Sequence, residues 1–287
     1  MIAEQEFIKS PLNYTGGKYK ILDSIFQYFP NQIDTFIDLF GGGFNVGINV
    51  NAKKIIYNDH ITYLKEMFEF FKETEPSFIL ENIKARISEF NLDSQNVDGY
   101  LKLRNKYNKS KNILDLFILT CYSFNHQIRF NNKYEFNTPF GKNRSIYNNT
   151  IEQNLLKFIS TLKNKNIVFS SNDFLFIKNY KFKKNDFIYC DPPYLISNAS
   201  YNDGKRGFGN WTQNEDDNLL NLLDYLNDKG VKFLLSNVFT HKGNANDKLI
   251  KWSKKYKIGN INKSYNNCNY QLKSKDTETQ EVVIYNY

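Results

Sequence analysis

Short runs of aliphatic, β-branched and aromatic residues punctuate the chain at Thr35–Leu39, Lys54–Tyr57, Ile167–Ser170, Phe187–Cys190, Lys232–Ser236 and Val282–Tyr285. Each is too short for a helix and reads as a strand buried on both faces. Between them, apolar residues recur at helical spacing over Tyr19–Phe29, Ile61–Phe71, Ile151–Leu162 and Thr212–Leu226. The last run opens on Thr212 with Glu215 at the offset of a capping box, which fixes where the helix begins. Strands alternating with helices predict an α/β fold with a mainly parallel sheet.

From Ser77 to Arg144 the alternation stops. Helical patterns at Ser77–Phe90, Gly99–Tyr107 and Ile113–Phe124 follow one another, and an Asn-, Lys- and aromatic-rich segment runs on through Asn149. This predicts an inserted, mainly helical subdomain at 77–149, dividing a main domain made of 1–76 and 150–287. Two polar loops, Ser197–Trp211 and Asn262–Thr279, are long for a compact domain, and loops of that kind often carry function.

The mean hydropathy is low, −0.58. With 25 Phe and 20 Tyr in 287 residues, however, the chain has ample surface to bury and is expected to be globular. Lys and Arg exceed Asp and Glu by 38 to 30, a net charge of +8, which admits a polyanionic partner. Three cysteines, Cys121, Cys190 and Cys268, have neither disulfide-framework nor zinc-ligand spacing, so no metal site is expected. No apolar stretch reaches the roughly 18 residues of a membrane span, and no leader pattern opens the chain. A soluble, cytoplasmic protein is expected.

Asp191-Pro192-Pro193-Tyr194 follows directly on the predicted strand Phe187–Cys190. In an open α/β sheet, ligands bind beyond the carboxyl ends of the strands, so this turn sits where chemistry is expected. Two prolines stiffen the backbone behind an aimed acceptor. The amino group of a nucleobase is a poor nucleophile because its lone pair is delocalised into the ring. The Asp191 carboxylate and the Pro192 carbonyl would accept its two protons and favour a pyramidal nitrogen, while Tyr194 offers a stacking face.

Asp38-Leu39-Phe40-Gly41-Gly42-Gly43 follows the first predicted strand, and Asp59 closes the next. Glycines admit close backbone approach, and an acid about 20 residues on suits ribose hydroxyls. Val46 stands where a dinucleotide fingerprint would place its third glycine, so Asp38 fits a ligand ammonium better than a pyrophosphate. A glycine turn made for tight packing is the alternative. Asn13-Tyr14-Thr15-Gly16-Gly17-Lys18 lacks the spacing of a phosphate loop and alone would fit an ordinary basic turn. Asp173, just beyond Ile167–Ser170, would equally serve as a helix cap.

In this order, over Pro11 to Tyr285, the motifs resemble the D12 class of DNA adenine-N6 methyltransferases in the alpha arrangement. The segment Phe124-Asn125 to Arg129-Phe130-Asn131, followed by Glu135-Phe136-Asn137-Thr138-Pro139-Phe140-Gly141, is similar to that family's DNA-reading segment. The resemblance implies a Rossmann-like methyltransferase sheet with 77–149 as target-recognition subdomain and S-adenosylmethionine as cofactor. It places Tyr14, Lys18, Asp38, Phe40, Gly41, Gly43, Asp59, Asp173 and Phe174 around the cofactor, with Lys18 near the target base or its neighbour. Asp191, Pro192, Pro193 and Tyr194 would hold a flipped-out adenine. Asn125, Arg129, Asn131, Asn137 and Pro139 would face DNA, Arg129 reading guanine, and Lys205 and Arg206 would meet phosphates together with Lys263, Lys273 and Lys275. The implied partner is double-stranded DNA within a restriction-modification system, with a cognate endonuclease acting separately.

His126-Gln127-Ile128 stands where members reading GATC carry Gly-Leu-Cys or Gly-Leu-Tyr, so the target sequence does not carry over. Cytosine-N4 methylation goes more often with serine at the first position of the tetrapeptide, and RNA or protein-glutamine methylation with asparagine; Asp191 favours DNA adenine. A DNA-binding module that keeps the fold without the activity is the non-enzymatic alternative, disfavoured by the intact Asp38, Asp59 and Asp191.

Overall fold

The computed structural model describes residues 6–196, 211–261 and 279–287. Its centre is a sheet whose strands are β1 (Thr35–Asp38), β2 (Lys54–Asn58), β3 (Ile167–Ser170), β4 (Phe187–Cys190), β5 (Lys232–His241), β6 (Asn244–Ala245), β7 (Lys257–Asn260) and β8 (Gln280–Tyr285). The spatial order is β3-β2-β1-β4-β5-β8-β7, with β6 paired to β5. Strands β3 to β5 along this path are parallel, and β8 runs antiparallel to both β5 and β7. The path leaves β1 leftward to β2 and resumes at β4 on the other side. A crevice therefore opens between the carboxyl ends of β1 and β4, the switch point at which open α/β sheets bind ligands.

Alternation along each strand explains the two layers. Phe36, Ile55, Tyr57, Phe187, Tyr189, Leu234 and Val283 enter one apolar cluster, whereas Ile37, Ile56, Ile188, Cys190, Phe233, Leu235 and Ile284 enter the other. The first face is covered by α1 (Leu22–Phe26), α2 (Thr62–Glu73) and α6 (Asn149–Asn164), whose buried residues include Ile25, Phe68 and Phe158. The second is covered by α7 (Gln213–Asp228) and α8 (Asp247–Ser253), through residues such as Leu223 and Leu249.

Between α2 and α6 lie α3 (Pro76–Glu89), α4 (Val97–Ser110) and α5 (Ile113–Tyr122). Their buried residues, among them Ile83, Tyr100, Leu103 and Phe117, join the same cluster as Phe68, Phe71 and Phe158. These helices thus share a core with the first face of the sheet. Helix α5 is buried almost all round, consistent with its central place among them.

All the expected strands form. The expected helix Tyr19–Phe29 is instead a 3-10 turn, Tyr19–Ile21, followed by the short α1, and β5 runs on to His241. Strands β6 and β7 and helix α8 were not expected; β6 is only two residues long, and the short runs of β7 and α8 carry lysine among their apolar residues. The capping box is present, with Glu215 accepting from the Thr212 N–H at 2.9 Å. Cys121 and Cys190 are buried free thiols, and Cys268 lies outside the described residues. Among the described residues, no helix is long and apolar enough to cross a membrane.

Candidate active site

The crevice at the switch point deepens into a cavity of about 580 Å³. It gathers every residue expected at the cofactor or at the target base: Tyr14, Lys18, Asp38, Phe40, Gly41, Gly43, Asp59, Asp173, Phe174 and Asp191 to Tyr194.

On the β1 side, the loop is shaped by rings as much as by its own backbone. A Cβ on Gly41 would come within 2.3 Å of the Tyr57 ring, and one on Gly43 within 2.9 Å of Tyr14 Cβ. Gly42 takes φ +46°, the left-handed region that glycine enters at little cost. These glycines are packed tightly, as their alternative reading held, and the packed loop lines the cavity. Tyr57 donates its hydroxyl to the Gly42 carbonyl at 2.9 Å, and the Gly42 N–H donates to Asp59 Oδ2 at 2.7 Å. The other Asp59 oxygen accepts from the Ile61 N–H at 2.9 Å.

Asp38 is buried at the end of β1, where its Oδ2 accepts from the Gly47 N–H at 3.1 Å. Burial, reinforced by the charges of Asp191 and Asp59, pushes its carboxyl up to about 8 against the pull of the Gly47 hydrogen bond. A buried acid held near neutrality this way gains most from a cationic neighbour.

Asn58 escaped the sequence reading, where it is one polar residue at the end of an apolar run. Its Nδ2 donates to the Leu39 carbonyl at 3.1 Å and the Asn172 carbonyl at 3.0 Å, while its Oδ1 accepts from Ser170 Oγ at 2.8 Å and the Asn172 N–H at 3.0 Å. One side chain thereby ties together the chain exits of β1, β2 and β3. Asp173 does cap a helix, as its alternative reading held: it accepts from the Leu175 N–H at 2.8 Å and starts a 3-10 segment, Phe174–Asn179, while still lining the cavity. Phe40, Phe174 and Trp211 stand in mutual contact with centroids 5.5 to 5.7 Å apart, an apolar wall suited to a flat ring. Trp211 had no sequence signal beyond closing a polar loop.

On the β4 side, Asp191 follows Cys190 and takes a donor on each oxygen. Lys18 Nζ lies 2.8 Å from Oδ2, and the Tyr194 hydroxyl donates to Oδ1 at 3.0 Å. Burial raises the Asp191 carboxyl above the usual carboxylate range, outweighing the Lys18 charge and the two hydrogen bonds. The Tyr194 phenol is pushed well up by its burial and by the negative charges of Asp191 and Glu281. Lys18 is itself buried, donates to the Gly16 carbonyl at 3.0 Å and stands 5.0 Å from the centre of the Tyr194 ring. It therefore touches the tetrapeptide directly.

Those residues expected to face DNA that the structure describes lie apart from the cavity. Arg129 to Asn137 form a hairpin, with the Asn131 N–H donating to the Glu135 carbonyl and the Asn137 N–H to the Arg129 carbonyl, each at 2.9 Å. Phe130 and Phe136 are its buried anchors. Arg129 is exposed, with Nε donating to Asn137 Oδ1 at 3.0 Å and Nη2 to the Asn137 carbonyl at 3.2 Å. Asn131 Nδ2 donates to Glu135 Oε2 at 2.9 Å, and Pro139 accepts the Phe124 N–H at 2.8 Å. Asn125 has φ 54° and its carbonyl accepts from Asn13 Nδ2 at 2.9 Å, which joins this segment to the loop carrying Tyr14 and Lys18. Lys205, Arg206, Lys263, Lys273 and Lys275 lie outside the described residues. Among the described residues no cluster of His, Cys, Asp or Glu side chains is placed to hold a metal ion.

A family model described as D12 class N6 adenine-specific DNA methyltransferase matches residues 14–267, a span that contains Asp38, Asp59, Asp173 and Asp191 to Tyr194. The chain belongs to this family. Type II methyltransferase M.FokI of Planomicrobium okeanokoites is 49% identical over 281 residues, covering 98% of this chain and 43% of that protein. Modification methylase StsI of Streptococcus sanguinis is 47% identical over 285 residues, covering 99% and 43%. Type II methyltransferase M.MjaIII of Methanocaldococcus jannaschii is 31% identical over 258 residues, covering 81% and 85%. The D12-class chain therefore spans less than half the length of the first two relatives and most of the third.

Proposed function

We propose that the chain transfers the methyl group of S-adenosylmethionine to the 6-amino group of an adenine turned out of a DNA duplex, as the modification arm of a restriction-modification system. The observation that carries this reading is the meeting, in one cavity, of a buried carboxyl end at β1 with the Asp191 to Tyr194 turn at β4. The named relatives are Type II methyltransferases or modification methylases.

The residues present fit the cofactor. Asp38, buried and short of positive charge, suits the ammonium of its methionine end. Asp59, which accepts the Gly42 and Ile61 N–H groups, lines the cavity where its carboxylate would meet ribose hydroxyls. Phe40, Phe174 and Trp211 supply a wall for its adenine, beside the capping carboxylate of Asp173. When bound, it supplies a methyl group on cationic sulfur that leaves as a neutral thioether.

Asp191 and the Pro192 carbonyl then accept the two N–H groups of the target amine and localise its lone pair. Tyr194 stacks on the base, and Lys18 sets the charge of Asp191. Pro193, between them, keeps the turn rigid. Positioning and fixed electrostatics do the work. The amino nitrogen needs to lose a proton only after it has become cationic, and Asp191, with its raised affinity for a proton, is the acceptor within reach.

The hairpin bearing Arg129, with Asn125, Asn131, Asn137 and Pro139, would read and line the duplex within an insert at 77–149, and Lys205 and Arg206 would meet phosphates. Plasmid DNA incubated with the protein and S-adenosylmethionine and then sequenced for modified bases tests the reading. Methyladenine in a short motif is expected, and no modification would overturn it. Asp191→Ala should lower the transfer rate on the order of a hundredfold or more. An alanine variant working at the wild-type rate would remove Asp191 from the mechanism.

A further inference from the structure

Behind the Asp191 to Tyr194 turn lies Glu281 of β8, buried to 7% exposure. It falls past residue 267, where the family match ends. Its Oε1 is 3.2 Å from the Tyr194 hydroxyl and 3.7 Å from Lys18 Nζ. Asp191 draws on the same two donors, through Oδ1 at 3.0 Å and Oδ2 at 2.8 Å. Among the described residues, the part-buried Asp191 and the buried Glu281 thus share one ammonium and one phenol.

Ser236 Oγ also lies within reach of the phenol, at 3.2 Å, so that its one proton is shared among Asp191, Glu281 and Ser236 at least. With no base bound, each Asp191 oxygen already takes a donor. An incoming amino group brings N–H donors of its own to this carboxylate. The Tyr194 proton then competes with them for Oδ1, and a buried hydroxyl that gives way and finds no other acceptor is costly.

We infer that Glu281 is a positioning residue that takes over the Tyr194 hydroxyl as the target amino group engages Asp191. The inference rests on the methyl-transfer reading above. The exchange is a rotation of one O–H, so no covalent bond forms or breaks and the proton stays on Tyr194. Lys18 lies between the two carboxylates before and after. The Tyr194 ring remains anchored through its hydroxyl while Asp191 Oδ1 opens to the substrate.

The test is steady-state methyl transfer to a duplex carrying the motif found by sequencing, with melting temperatures measured alongside. Glu281→Ala should lower kcat about tenfold or more, with KM for duplex and cofactor within about threefold. Glu281→Gln, which keeps a carbonyl acceptor, should recover most of that loss. In a Tyr194→Phe background there is no proton to hand over, and adding Glu281→Ala should change kcat by less than about twofold. Glu281→Leu, which fills the space without an acceptor, gives the same comparison should the alanine variant not fold. Wild-type kcat in Glu281→Ala, a glutamine variant as slow as alanine, or additive effects in the double variant would each overturn the inference while leaving the methyl-transfer reading standing. A wild-type chain that modifies no DNA would overturn both.

Discussion

Asp38 shows how one buried group answers to two opposed demands. With its carboxyl pushed up to about 8 by burial, the folded chain without ligand holds a proton there that an unfolded aspartate, near 3.9, has already lost. Between about pH 4 and about pH 8 the folded state therefore binds the extra proton, and this contribution to stability fades as pH climbs towards 8. Pairing with a ligand ammonium requires the ionised form, so cofactor affinity should move the other way. Calorimetry is expected to show S-adenosylmethionine binding more tightly from about pH 6 to about pH 8, and Asp38→Asn to weaken binding and flatten that trend. A wild-type affinity that stays constant over this range would contradict the role given to Asp38. The strand-end aspartates could be located in the sequence because each follows a short apolar run. Asn58, Trp211 and Glu281 could not, since their roles depend on partners such as Asn172, Phe174 and Lys18, far away along the chain.

At the scale of elements, the hairpin from Arg129 to Asn137 is the clearest case of a segment whose composition announces surface but whose shape depends on burial. Phe130 and Phe136 pin it to Tyr107 in α4, with ring centroids 6.3 and 6.2 Å away, and Asn108 fixes its backbone by accepting from the Phe136 N–H at 2.7 Å. Arg129 is exposed and is held by Asn137 across the hairpin. If it reads guanine, Arg129→Ala should erase about 1–3 kcal/mol of discrimination against a duplex with that base pair changed. Asn137→Ala should erase part of it with little change in melting temperature. Equal loss on every duplex would make Arg129 a phosphate contact instead. The strands and the capping box at Thr212 were legible because local pattern decides them. Strand β7 was not, because as a lysine-bearing edge strand it takes its conformation from pairing with β8.

For the molecule as a whole, the net charge of +8 becomes a statement about salt. Each phosphate neutralised by a lysine or arginine should steepen the fall of log affinity against log salt by about 0.9. Replacing Lys205 and Arg206 together should therefore make that slope shallower by about 1 to 2 without altering the modified motif. An unchanged slope would take both from the DNA. The way the core is shared also governs how such a protein can acquire a new target. Because the helices of 77–149 bury Ile83, Leu103 and Phe117 in the cluster that holds Phe68 and Phe158, transplanting that stretch wholesale from a distant relative would tear the packing beneath the sheet. If the hairpin reads the duplex, new preferences are more readily gained by rewriting its exposed positions, one side chain at a time, than by exchanging modules.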